Sequence, residues 1–178
     1  MASTSTSSDT RKVQLYVKKI VGARYHYAIW IPNAGSLTRG RMIHVIGSPL
    51  TGFTLQVKEG FDLSKTKSVY VLVDLGTTAV ANITVADTTT QNMRGTTTDS
   101  DKFEKCAGKI QPPRIPEAQY MPPAGSKPSE IKAFWLQDHP NAPRCQEWTR
   151  SYVAALVKEK LLPDTAIEAI NSAPRRPE

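Results

Sequence analysis

Residues 25–47 read YHYAIWIPNAGSLTRGRMIHVIG, which is two short apolar runs joined by a turn-like segment. Runs rich in Ile, Val, Tyr and Trp that are bounded by Pro, Asn and Gly are typical of β-strands. The stretch therefore predicts two neighbouring strands, at 26–31 and 41–46. Each strand carries one histidine, His26 on the first and His44 on the second.

Four further short segments predict strands on both sides of this pair. Segments 13–17 and 53–57 alternate apolar and polar residues, as half-buried strands do. Segment 69–75 is the most apolar and is expected to be central in the sheet, and 80–85 predicts a sixth strand. Because brief turns rather than helices connect these segments, the pattern favours an antiparallel sheet over alternating βαβ units.

The helical patterns lie in the C-terminal part of the sequence. Residues 145–160 place apolar side chains at three- and four-residue spacing, which predicts an amphipathic helix with Cys145 as its first residue. A shorter helical turn is expected at 129–136. Pro163 ends the long helix and starts a short amphipathic one that runs through Ile170.

Length and composition predict a single α+β domain. A chain of 178 residues with 39% hydrophobic residues is of ordinary size for one domain and has enough apolar side chains for a core. We expect this domain to span 11–172, between disordered tails at 1–10 and 173–178. Segment 88–128 is rich first in Thr and then in Pro, so it predicts a flexible insertion that could act as a lid.

Charge and cysteine usage exclude several classes of protein. The net charge of +7 arises from scattered basic pairs rather than a stripe interleaved with aromatic residues, so we expect no nucleic-acid partner. No apolar run approaches the ~18 residues of a membrane span, and no apolar signal segment is present, which predicts a cytoplasmic protein. Two cysteines without metal-ligand spacing predict free thiols, no metal and no cofactor.

Cys145 and the two histidines are the candidate catalytic residues. A thiol at a helix start has its thiolate favoured by unpaired backbone N–H groups and by the helix dipole. A histidine held against it would take its proton, as in Cys–His nucleophilic catalysis. A strand histidine is, however, more often a packing residue, and a helix cysteine a small core residue, so a structural role stays open. Cys106 lies in a polar stretch and is expected to be incidental.

The motifs HYAIWIPN at 26–33, MIHVIG at 42–47 and CQEW at 145–148 resemble the NlpC-like branch of the papain-like thiol enzymes. The arrangement is similar to the permuted form typified by lecithin–retinol acyltransferase and to fungal proteins with the same order of motifs. The resemblance covers 13–75 and 143–172, and it implies an antiparallel sheet packed against a Cys-bearing helix.

This resemblance assigns a role to each candidate residue. Cys145 would be the nucleophile, His26 its base, and His44 the residue that orients the base. Tyr25, immediately before the base, is a weaker candidate for stabilising an oxyanion.

Two classes of function follow from the resemblance. The first is a cysteine-dependent hydrolase or acyl or aminoacyl transferase that forms a thioester with a small-molecule or peptide substrate at an amide or ester carbonyl. The second is a non-catalytic binding or interaction module with the same fold, since a fold does not by itself imply a function.

Overall fold

The structure is a computed structural model that describes residues 9–48, 51–84, 91–95, 100–114, 122–136 and 143–177. Within these ranges the chain is α+β, with a six-stranded antiparallel sheet and four α-helices. The strands are β1 Thr10–Lys18, β2 His26–Pro32, β3 Arg39–Ser48, β4 Gly52–Asp62, β5 Tyr70–Ala79 and β6 Asn92–Arg94. The helices are α1 Lys102–Gly108, α2 Pro128–Leu136, α3 Cys145–Lys158 and α4 Thr165–Ser172.

The strand order is β5-β1-β2-β3-β4-β6, and each neighbouring pair is antiparallel. The predicted strands in β1 to β5 are confirmed, but the expected central position of β5 is wrong, because β5 forms one edge of the sheet. Its apolar character has another cause: α4 packs on one of its faces, so Val71 and Val73 adjoin the main core. The strand predicted at 80–85 is also wrong over 80–84, the part that the structure describes, since Val80–Asn82 forms a 3-10 turn and the sixth strand is β6.

The two faces of the sheet bury different sets of side chains. Tyr27, Ile29 and Ile31 of β2 belong to the main core, together with buried residues of α1, α3 and α4. Ala28 and Trp30 alternate with them and belong to a smaller cluster on the opposite face. Because β2 is buried on both faces, its near-continuous apolar sequence suits a central strand.

The predicted helices at 129–136, 145–160 and after Pro163 are confirmed as α2, α3 and α4. At the start of α3, the backbone N–H of Arg144 donates to Glu147 Oε2 at 2.9 Å, so the Glu147 side chain caps the first turn. The helix ends at Lys158 because Lys160 adopts a left-handed conformation with φ of 56°.

The expected flexible insertion at 88–128 is corrected where α1 lies. Phe103 is fully buried and Cys106 is only 3% exposed, both within the main core. The Asp101 side chain caps the helix by accepting from the Glu104 N–H at 3.0 Å. This short apolar stripe, surrounded by Thr, Asp and Lys, is too brief to stand out by periodicity, and Cys106 is a core residue rather than an incidental one.

The expected disordered C-terminal tail is also corrected, because its first three residues are bonded to β2 and the residue before it. The Tyr27 hydroxyl donates to the carbonyl oxygens of Ala173 at 3.1 Å and Pro174 at 3.0 Å. The backbone N–H of Tyr25 donates to the carbonyl oxygen of Arg175 at 2.9 Å. The carbonyl partners are backbone groups, so no side-chain pattern marks this segment in the sequence.

Candidate active site

The two predicted histidines lie side by side on the face of the sheet opposite α3. Side chains two residues apart along a strand point to the same face of the sheet. His26 therefore shares a face with Ala28 and Trp30 of β2, and His44 shares it with Met42 of β3. His26 Nε2 and His44 Nδ1 are 2.8 Å apart, which is a hydrogen bond between the rings. The structure therefore brings together the residues expected to be the base and its orienting partner.

A third residue, Gln56 on β4, extends this pair. It lies directly opposite His44 in the β3–β4 register, and its Oε1 is 3.1 Å from His44 Nε2. The sequence does not single out Gln56, because a polar residue in an alternating strand is typical of a solvent-facing position. Only the register of β3 against β4 places it at the site.

The bonds of this Gln56–His44–His26 relay set the tautomers of both rings. An amide oxygen only accepts, so His44 Nε2 carries a proton and His44 Nδ1 of the neutral ring is an acceptor. His26 Nε2 must then donate to it. In neutral His26 this leaves Nδ1 without a proton, as a general base requires.

Burial keeps both imidazoles neutral. The pKa of His26 is lowered to about 4, mainly by burial and in addition by the nearby charges of Lys18 and Lys58. Burial likewise lowers the pKa of His44 to about 3, with the charges of His26 and Lys58 acting in the same direction. The candidate base, His26, is therefore in its proton-accepting form at neutral pH.

The sheet opens at the end that carries the histidines. Pairing between β2 and β3 runs from Pro32↔Gly40 to Ile29↔Ile43 and stops there. Yet β2 extends to His26 and β3 continues beyond His44. The strands therefore diverge at this end, so that groups on both faces of the sheet reach one cavity.

Cys145, at the first turn of α3, lies beside this opening. Its thiol is within hydrogen-bonding reach of the backbone N–H groups of Tyr27 and Gln146. Burial nevertheless raises the pKa of the Cys145 thiol, and this effect outweighs the N–H groups and the charge of Arg24. The expectation that the helix start favours a thiolate is thus wrong for the resting site, because desolvation of the thiolate dominates.

A fully buried glutamine fixes the start of α3 against β2. The Gln146 side-chain amide donates to the carbonyl oxygens of Tyr25 at 2.8 Å and Arg175 at 2.7 Å. Its oxygen accepts from Arg24 Nη2 at 3.0 Å. Arg24 also forms an ion pair with Glu147, the residue that caps α3. The position of the thiol is therefore set by polar groups that the sequence pattern did not indicate.

Tyr25 is buried, with 8% of its surface exposed, and it lines the same cavity as the thiol. Its backbone N–H and carbonyl are already bonded to Arg175 and Gln146. Any stabilisation of an oxyanion by Tyr25 would thus have to come from its side chain.

One cavity of about 610 Å³ brings the candidate residues together. Its wall includes Cys145, His26 and His44. The remaining wall includes aliphatic and neutral polar residues, together with three aromatic and four cationic ones, Tyr16, Phe53, Phe61, Lys18, Lys58, Arg24 and Arg144. A volume of this size suits a small organic ligand or a short peptide segment.

Among the described residues, no three or more His, Cys, Asp and Glu side chains are grouped to hold a metal ion. In that part of the chain, no helix has the length and apolar character needed to cross a membrane. The third histidine of the sequence, His139, lies outside the described residues.

The comparisons with known proteins give a family but no activity. No curated protein and no solved structure matches the chain. One family does match, over residues 13–163, a range that includes β2, β3, α3 and the whole candidate site. The chain therefore belongs to the family described as a family of unknown function, DUF6540.

Proposed function

We propose that this protein is a cysteine-dependent hydrolase or acyl or aminoacyl transferase of the permuted papain-like type. Cys145 is its nucleophile, His26 its general base and His44 the residue that orients the base. The observation that carries the proposal is the Gln56–His44–His26 relay, which leaves His26 Nδ1 as a proton acceptor in the cavity that holds the thiol.

The order of the elements supports the permuted arrangement. Both histidine strands, β2 and β3, precede the cysteine helix α3 in the chain, and α3 begins at the cysteine itself. Gln146, in its first turn, donates to the carbonyl of Tyr25, the residue before β2, and this contact supports a nucleophile on α3 that works with a base on β2. A Cys–His site is recognised by this geometry and by the roles of its groups rather than by sequence position.

The reaction starts from a neutral thiol and a neutral imidazole. As Cys145 Sγ attacks the carbonyl carbon of the substrate, the thiol proton passes to His26 Nδ1. The resulting imidazolium then protonates the leaving amine or alcohol, and a thioester remains on Cys145. Water or an amine attacks the thioester, gives up a proton through His26, and releases an acid or a new amide with the thiol restored.

The oxyanion formed in these steps needs hydrogen-bond donors near the sulfur. The backbone N–H of Gln146 is within bonding reach of Cys145 Sγ and belongs to the first turn of α3, where the helix dipole favours negative charge. The Tyr25 hydroxyl is the second candidate donor, because Tyr25 also lines the cavity.

A model ester tests the proposal without knowledge of the natural substrate. We expect p-nitrophenyl acetate to release a burst of nitrophenol and to leave an acetyl group on Cys145, identified by peptide mass spectrometry. The His26→Ala variant should acylate about 10²- to 10⁴-fold more slowly, because it lacks the base. Cys106→Ala is the matched control and should keep the burst. Acetylation that is independent of both Cys145 and His26 would contradict the proposal.

The second candidate is a non-catalytic binding module with the same fold. The raised pKa of the buried Cys145 thiol favours it, since a neutral thiol is a weak nucleophile. In that case p-nitrophenyl acetate gives no burst, and Cys145→Ala binds cavity ligands as well as the wild type does. The same burst measurement therefore separates the two functions.

A further inference from the structure

The wall of the Cys145 cavity is strongly cationic. Four basic residues line it, Lys18, Arg24, Lys58 and Arg144, and none of the described residues in the wall is Asp or Glu. Arg24 is compensated, since it pairs with Glu147. Arg144, at the start of α3, adds to the positive charge of the wall, and the two lysines supply the charge on the side of the histidines.

The sheet register places both lysines on the face that carries the histidines. Lys18 of β1 lies directly opposite His26 of β2. Lys58 follows Gln56 by two residues on β4, so it points to the same face as the Gln56–His44–His26 relay. The lysines therefore flank the two histidines, Lys18 from β1 and Lys58 from β4.

Neither lysine has an acidic partner among the described residues. Elsewhere on the surface, Lys12 pairs with Asp74 at 3.2 Å and Lys109 with Glu159 at 3.3 Å. Lys58 is half-buried, and its ammonium group lies over the Phe61 ring, 5.6 Å from the centroid. A half-buried ammonium group without a counter-charge gives a bound anion the largest electrostatic stabilisation.

The two ammonium groups also affect each other and the base. Burial lowers the pKa of Lys58, and the charge of Lys18 lowers it further. The same two charges help to lower the pKa of His26. An anion between the lysines would offset both effects and would make His26 a stronger base only when the site is occupied.

We propose that the cavity takes acyl substrates that carry an anionic group, a carboxylate or a phosphate, and that Lys18 and Lys58 bind this group. The proposal deepens and rests on the proposed thiol chemistry at Cys145. The apolar part of such a substrate would pack against Tyr16 and Phe61, which line the same face of the cavity. Positive walls of a cavity concentrate anions and raise the rate at which they enter.

Two alkylating reagents that differ in charge test this substrate class. Iodoacetate and iodoacetamide both form a carbon–sulfur bond with Cys145 and release iodide, but only iodoacetate is an anion. We would measure the ratio of their alkylation rates at Cys145 in the full-length Cys106→Ala protein and, as a reference, at N-acetylcysteine. We expect the ratio to favour iodoacetate by about tenfold relative to the reference.

The lysine variants assign the preference to its cause. In Lys18→Gln/Lys58→Gln the ratio should return to the N-acetylcysteine value. The control Lys19→Gln/Lys158→Gln removes the same charge from two exposed lysines outside the cavity wall and should keep the preference. Inorganic phosphate should slow the iodoacetate reaction if the site takes phosphates, and acetate should do so if it takes carboxylates.

The failures of the two proposals are distinguishable. Two results would overturn the anion site alone. One is fast, His26-dependent alkylation of Cys145 whose ratio of iodoacetate to iodoacetamide rates equals that of N-acetylcysteine. The other is a preference for iodoacetate that is unchanged in Lys18→Gln/Lys58→Gln. A Cys145 that reacts with neither reagent would overturn the thiol chemistry. The anion site would then be judged by calorimetric titration with inorganic phosphate and acetate, where the absence of lysine-dependent binding of both would overturn it.

Discussion

His44 connects the base of the candidate site to the sheet. It is only 3% exposed, and both of its ring nitrogens have partners, one in β2 and one in β4. A ring bonded on both sides cannot rotate or change tautomer without breaking a buried hydrogen bond. In the proposed reaction, His44 is therefore a positioning residue whose effect passes through His26.

The relay predicts a graded series of variants. We expect His26→Ala to lower kcat for model-ester hydrolysis by about 10²- to 10⁴-fold, because the base is lost. His44→Ala should cost less and Gln56→Leu least, since these changes loosen the orientation of a base that is still present. Gln14→Leu is the matched control on β1, outside the cavity wall. Equal losses for His26→Ala and Gln14→Leu would contradict the assignment.

The histidine pair also predicts how stability depends on pH. Histidine in the unfolded chain has a pKa near 6.5, whereas burial lowers it to about 4 for His26 and about 3 for His44. The unfolded state thus binds more protons at acidic pH, so stability is full above pH 6.5 and is lost as the pH falls toward 4.

We expect the free energy of unfolding, measured with urea, to fall over this range by on the order of 3 kcal/mol for each histidine, or about 6 kcal/mol for the pair. His26→Gln/His44→Gln should show a shallower dependence on pH, and Gln14→Leu, which changes no titratable group, serves as the control. The same slope in the double variant would mean that other groups control the acid response.

At the scale of elements, a buried ion network joins β3, β4, β6 and α1. Arg41 is 4% exposed and pairs with Asp101 at 2.6 Å and Glu104 at 3.0 Å. Arg94 of β6 pairs with Glu104 at 2.7 Å and with Glu59 of β4 at 2.8 Å. Because the charges alternate, this network attaches the last strand and the first helix to the sheet.

Removing one member of the network should be costly. We expect Arg41→Met to lower the free energy of unfolding by about 3–5 kcal/mol, because Asp101 and Glu104 lose a buried counter-charge. Arg41→Met/Glu104→Leu should recover part of the loss, because Asp101 is then the one buried acid of the pair that has lost Arg41 as its counter-charge. A double variant as unstable as the sum of the single ones, by urea denaturation, would exclude such coupling.

The junction of α3 with β2 depends on Gln146. We expect Gln146→Ala to lower the free energy of unfolding by about 1–3 kcal/mol, because the carbonyls of Tyr25 and Arg175 lose their donor. Acylation of Cys145 should also slow, since the first turn of α3 loosens. In the control Gln14→Ala, the replaced side chain forms no hydrogen bond within the described residues, and both quantities should stay close to wild type.

At the scale of the whole molecule, α1, α3 and α4 contribute to the core on one face, and the opposite face carries the histidine relay. Cys145 and the two histidines line one cavity at the end of the sheet where the pairing of β2 with β3 stops. The packed core on the face that carries the helices thus holds the strands, and with them the relay on the opposite face, in a fixed position.

Because α1 contributes to the core, we expect it to unfold together with the domain and not to move separately as a lid. We expect Phe103→Ala to lower the free energy of unfolding by about 3–5 kcal/mol, because a fully buried ring is removed. The amides of α1 should exchange with deuterium at the rate of the core. Phe134→Ala on α2, a partly exposed position, is the comparison and should cost less. A Phe103→Ala protein as stable as wild type would restore the lid hypothesis.

The sequence by itself determined the identity and order of most elements. Alternation predicts β1 and β4, the two apolar runs predict β2 and β3, and helical periodicity predicts α3 with Cys145 as its first residue. These patterns are local, since a strand or helix repeats within a few residues and needs no distant partner to be recognised. The placement of His26 and His44 on adjacent strands followed from the same patterns.

Only the tertiary structure decided how these elements meet. The register of β3 against β4 brings Gln56 to His44, the pairing order puts the apolar β5 at an edge, and Phe103 makes a short helix part of the core. The upward shift in the pKa of the Cys145 thiol also depends on the tertiary structure, because desolvation is set by what surrounds the thiol and not by its place in a helix. Register and burial arise from contacts between residues far apart in the chain, so no local pattern encodes them.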